Sequence, residues 1–90
     1  MNKYPVKILT PTGIAFEGDI AGLYLRGAAG DLAVFAGHIP FVTSVREGRC
    51  TIVYGDDDKE DTEAKIGSGM LNVTHDGVNL LVGTFEVPKE

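Results

Sequence analysis

Apolar and polar residues alternate in short stretches along this chain, and turn residues interrupt each stretch before it reaches helical length. Residues 20–26, IAGLYLR, carry the pattern most clearly. Leu23 and Leu25 fall on one side of an extended chain, Tyr24 and Arg26 on the other. A period of two is that of a half-buried strand. Comparable stretches predict strands at 4–10, 14–17, 41–45, 49–54, 63–66, 70–74 and 78–82, with a short last one at 85–87. The run Leu32-Ala33-Val34-Phe35 is too short for a helix and suits a short buried strand.

Between these stretches lies the chemistry of turns. Strand 4–10 reads as an edge, where Pro5 need not donate to a ladder. Pro11-Thr12-Gly13 is a turn and Gly18-Asp19 a break. Glu47-Gly48 predicts a hairpin joining 41–45 to 49–54, and Asp76-Gly77 predicts a second. Gly67-Ser68-Gly69, set inside a strand pattern, predicts a bulge or a close backbone approach. Strands recur about every 8 to 10 residues, the spacing of an all-β sandwich or flattened barrel.

Ninety residues allow one small domain, 1–90, with one two-layer core. The net charge of −5 resides in one place. Asp56, Asp57, Asp58, Glu60, Asp61 and Glu63 surround the single base Lys59, and the rest of the chain is balanced. This run is expected to be a mobile, solvated hairpin tip, since it lacks the ligand spacing and flanking helices of a calcium loop. No basic face is visible, which excludes a nucleic-acid partner. The absence of tryptophan and the few aromatics weigh against a base- or sugar-stacking module. Cys50 is the only cysteine, so no intrachain disulfide forms and a reducing compartment is expected. No signal peptide and no stretch of roughly 20 apolar residues is visible, so no direct membrane insertion is expected.

Candidate chemistry is sparse. His38 and His75 are the only histidines, and no cysteine joins either at ligand spacing. No metal site is expected from them. Gly30-Asp31 ahead of Gly37-His38 faintly resembles the metal-binding strands of cupin barrels, but the further histidine and glutamate are missing. Ser44, Ser68 and Cys50 are the possible nucleophiles, and none has a recognisable base beside it. Cys50 fits a small core residue. Gly-Ser-Gly has no following Lys or helix, so it is no phosphate loop. No catalytic residue and no cofactor are expected. Asp31 and His38 are left with two readings: satisfying turn backbone, or binding.

The segment 27–49, GAAGDLAVFAGHIPFVTSVREGR, decides between them. Its Gly27-x-x-Gly30-Asp31-Leu32-Ala33-Val34-Phe35-Ala36-Gly37-His38-Ile39-Pro40-Phe41-Val42-Thr43-Ser44-Val45-Arg46-x-Gly48 closely resembles the signature of F-type ATP synthase epsilon subunits. Thr10-Pro11-x-Gly13, Phe16-x-Gly18 and residues 67–73 extend the likeness to about residues 4–84. The resemblance implies a ten-stranded β-sandwich and a non-catalytic subunit of the central stalk. Such a subunit binds subunit gamma and rests on the ring of c subunits, at the cytoplasmic face of the bacterial inner membrane or its organellar equivalent. By position, Asp31, with Gly30 and Ala29, would face the c ring, whose polar loops are basic in the family. His38, Val42, Thr43 and Phe41 would lie at the gamma contact, with Arg26 flanking. Ala36 stands where the family usually has proline, and Ser68 is shifted by one from the common Ser-Gly-Gly. The two C-terminal helices of most members, with their inhibition of ATP hydrolysis, lie outside these 90 residues. A small cupin-like barrel that binds a ligand or acts as an enzyme is the alternative. A histidine-lined enclosed cavity would favour it, an exposed apolar patch near 38–43 the stalk subunit.

Overall fold

A computed structural model describes residues 2–88, which form ten β-strands and no helix. They are β1 (Tyr4–Thr10), β2 (Gly13–Ile20), β3 (Gly22–Gly27), β4 (Gly30–Phe35), β5 (Phe41–Val45), β6 (Gly48–Val53), β7 (Thr62–Ile66), β8 (Gly69–Thr74), β9 (Gly77–Val82) and β10 (Phe85–Glu86). The all-β expectation holds. The strands join in one sheet, ordered β10-β7-β6-β3-β5-β8-β9-β1-β2, with β4 paired to β3. This sheet is nearly closed and bends sharply at β3–β5, where a single pair, Gly27 with Val45, joins the two halves of a sandwich.

Alternation explains the core. Val6, Ile8, Leu23, Leu25, Cys50, Ile52, Leu71, Val73, Val78, Leu80 and Val82 project inward from their strands and are buried. Each large aliphatic withdrawn from water in this way contributes roughly 1.5–3 kcal/mol. No buried side-chain polar atom among the described residues lacks a partner. Tyr4 keeps its ring inside because its hydroxyl donates to the Val34 carbonyl, which ties β1 to β4.

Four expectations need correction. Strands β5 and β6 do not form a hairpin: β5 pairs with β8, while β6 pairs with β3 and β7. Arg46 and Glu47 instead carry the chain from one half of the sandwich to the other, and Arg46 N–H donates to the Arg26 carbonyl at 2.9 Å. Strand β1 is not an edge but lies between β2 and β9, parallel to the latter. Pro5 sits at its start, ahead of the ladder with β9, which begins at Val6. Gly18-Asp19 does not break β2, which runs on to Ile20 with its register set by a bulge at Ile8/Leu9. Finally, β4 is mostly exposed and buries only Val34, because β3 is its only ladder partner.

Candidate functional site

Strands β3 and β4 form a two-residue hairpin whose tip is Ala28-Ala29, with Gly27 opposite Gly30. Gly30 adopts φ 132°, a conformation that residues with a Cβ rarely take, so the turn depends on glycine there. Next along the hairpin, Arg26 faces Asp31. Their side chains are exposed, with Arg26 Nε 3.6 Å from Asp31 Oδ1. Arg46 approaches from β5, its Nη2 donating to the Ala28 carbonyl at 3.2 Å. Thus Ala29, Gly30 and Asp31 do share one exposed tip. Asp31 is not a lone acid, however, since the Arg26 guanidinium stands beside it and Arg46 holds the neighbouring Ala28 carbonyl.

At the opposite end of β4 the chain turns through Ala36-Gly37 into His38. The imidazole Nδ1 lies 2.7 Å from the Phe35 carbonyl oxygen, and Nε2 lies 2.8 Å from that of Thr74. Its ring stands edge-on to Tyr4, with centroids 5.1 Å apart. His38 therefore spans from the β4–β5 loop to the turn between β8 and β9, where exposed His75 lies. The two histidines line an open groove with Lys3, Tyr4 and Pro40, not an enclosed cavity. Both ring nitrogens of His38 thus face main-chain carbonyl oxygens, which can only accept hydrogen bonds.

The four residues expected at one contact divide between two faces. Val42 pairs with half-buried Asn72 and points outward, whereas Phe41 and Thr43 pair with the buried Val73 and Leu71; Thr43 is half-buried, but Phe41, at the start of β5, stays 39% exposed. Val42 is 62% exposed. Beside it runs a row that periodicity alone did not single out. Met70 lies opposite Leu81, Leu81 opposite Leu9, and Leu9 opposite Ile14, so these side chains share the outer surface of four adjacent strands. Met70, Leu81 and Ile14 are 45%, 50% and 56% exposed. The available signal was Leu80-Leu81: two apolar neighbours in a strand must point to opposite faces, and only one can enter the core.

Two buried acids complete the picture. Burial pushes the Cys50 thiol up to about 11, so it is a poor nucleophile at neutral pH. Burial, with a smaller contribution from Cys50, raises the Tyr4 phenol far above its ordinary value. Asp56, in the acidic loop, is held below the usual carboxylate range chiefly by its hydrogen bond from Lys3 at 2.8 Å. No group of three potential metal ligands exists among the described residues.

Comparison with known proteins places these features in context. Residues 3–88 match the family described as ATP synthase, Delta/Epsilon chain, beta-sandwich domain. The sodium-ion-specific ATP synthase epsilon chain of Acetobacterium woodii is 31% identical over 87 residues, covering 97% of this chain and 64% of that one. The ATP synthase epsilon chain of Thermodesulfovibrio yellowstonii is 32% identical, covering 99% and 61%. The chain thus spans about three-fifths of the length of these relatives. In structure it resembles a chain of the Euglena gracilis mitochondrial ATP synthase OSCP/F1/c-ring assembly, with TM-score 0.84, 16% identity, and 94% and 53% coverage. A chain of the Tetrahymena thermophila mitochondrial ATP synthase central stalk and c ring gives TM-score 0.76 at 12% identity, with 93% and 66% coverage. At these identities the likeness is one of fold.

Proposed function

We propose a role that proceeds from one premise: the chain belongs to the ATP synthase delta/epsilon β-sandwich family. It serves as a non-catalytic epsilon-type subunit of the central stalk, binding subunit gamma and the c ring and so coupling ion flow to ATP synthesis. It does so as a peripheral subunit on the cytoplasmic face of the membrane, or the equivalent organellar face. No described helix is long and apolar enough to cross a bilayer.

The observation that carries this reading is the outer row in which exposed Met70, Leu81 and Ile14 flank half-buried Leu9, with Val42 beside it. A contiguous apolar strip on the outer face of a small sheet is what a protein partner covers. Gamma is assigned to this strip and to the neighbouring 38–43 segment. The c ring is assigned to the hairpin tip at Ala29, Gly30 and Asp31, which is polar and projects away. There, Asp31 can exchange its Arg26 partner for a base on the ring at little cost, because both side chains are solvated.

The test is retention of partners by the tagged chain from detergent-solubilised membranes of its source. Gamma and ring subunits are expected on the beads. Asp31→Lys is expected to lose the ring and keep gamma, and Val42→Asp to lose gamma. A folded protein that retains neither subunit overturns the assignment.

A further inference from the structure

We propose that His38 is a proton-dependent clasp holding the β4–β5 loop onto the β8–β9 turn. Both atoms it meets, the carbonyl oxygens of Phe35 and Thr74, can only accept hydrogen bonds. An imidazole carrying one proton can donate to one of them. Only the doubly protonated ring donates to both, and at 2.7 and 2.8 Å both contacts have the length of genuine hydrogen bonds. The ring spans 36 residues of sequence, so losing either bond frees one side of a long-range link.

The surroundings suit a charged clasp. The Tyr4 ring stands edge-on to the imidazole, and its phenol is occupied by the Val34 carbonyl. Lys3, the nearby cation from the β1 side, has its ammonium drawn to Asp56 at 2.8 Å. His75 faces the loop from the β8–β9 turn, while Asp76 lies on the side of that turn toward β1 and β2, its N–H donating to Thr74 Oγ1 at 3.2 Å. The full clasp therefore belongs to the doubly protonated ring: a ring with one proton keeps one of the two hydrogen bonds and loses the other. Release frees Gly37-His38-Ile39-Pro40, whose Ile39 is 81% exposed, and so alters the approach to Phe41 and Val42.

The clasp concerns the chain alone, so its test needs no partner. Imidazole nitrogen–proton correlation spectra and amide hydrogen exchange are recorded on the full chain from about pH 5.5 to about pH 8.5, the range in which histidine changes charge. His75→Gln is the background, leaving His38 as the one imidazole. At the acid end both His38 nitrogens should carry protons coupled to protected positions. Raising the pH should speed exchange at 36–39 and 75–77, corrected for intrinsic rates, about tenfold more than in His38→Gln, tenfold being one lost bond of about 1.4 kcal/mol. Glutamine retains N–H donors and does not titrate. A ring with a single proton across the range, or the same pH response in His38→Gln, overturns the clasp.

Discussion

A methyl group on Gly69 would lie 1.8 Å from the carbonyl oxygen of Leu81. Strands β8 and β9 meet there with Gly69 paired to Val82, and the opposing atoms are backbone, which no rotamer change can move aside. Gly69→Ala is therefore expected to destabilise the fold by about 3 kcal/mol or more, at the upper end of overpacking costs. Gly83→Ala, where nothing lies within 4 Å of the added carbon, should change stability by no more than about 0.5 kcal/mol. Urea unfolding of the two variants checks the contrast, and equal effects would show that the β8–β9 approach is not rigid.

Tyr4 is buried and donates to the Val34 carbonyl. Removing the donor while keeping the ring leaves a carbonyl on β4 without that partner, at about 1–3 kcal/mol. Tyr4→Phe should thus lower the melting temperature and speed amide exchange in β4 more than in β8 or β9. The selectivity follows from topology, because β4 is held by β3 on one side and by Tyr4 on the other.

Alkaline pH should unfold this chain through Cys50 and Tyr4. The folded thiol loses its proton near 11 where the ordinary value is 9.0, and the folded phenol is raised in the same direction. Between those values the unfolded chain binds fewer protons than the native one, so stability falls as pH rises. The contribution is complete below about pH 9 and declines toward pH 11. For the thiol it amounts to roughly 2–3 kcal/mol, at about 1.36 kcal/mol for each pH unit. Denaturant titrations at stepped pH should show this decline, shallower in Cys50→Ala but not abolished, since Tyr4 remains. A disulfide-exchange reagent at neutral pH should label Cys50 only as fast as the chain unfolds.

Alternation made the strands and most of the core legible, because Leu23 and Leu25 can enter a core only from an extended chain with Tyr24 and Arg26 outside. Strand partners were less legible. Glu47-Gly48 has the composition of a hairpin turn, yet Val45 is held by Gly27 and Arg46 by the Arg26 carbonyl, long-range contacts that no local pattern encodes. The same limit hid the outer apolar row. Leu9, Ile14, Met70 and Leu81 come from four strands and become neighbours only through register. The Arg26–Asp31 pairing across the Ala28-Ala29 tip likewise needed the hairpin register.

The outer row and the hairpin tip should prove separable in function. Leu81 and Met70 are half exposed and face away from the core, so Met70→Thr with Leu81→Thr should shift stability by no more than about 1 kcal/mol, surface changes being small. Threonine also supplies a β-branched shape that strands favour. Lost apolar contact at the centre of an interface is costly, so this double variant should weaken gamma binding about tenfold or more. Retention of ring subunits should not change in an assay where the ring is supplied separately. Asp31→Lys should behave in the opposite way. It places a third cation beside Arg26 and Arg46, repels a basic ring loop, and leaves the apolar row untouched. Its effect should shrink with added salt, whereas that of the threonine pair should not, because only the exposed charges are screened. If both variants weakened gamma binding equally and with the same salt dependence, the two surfaces would be one interface, and the division between apolar face and polar tip would fail.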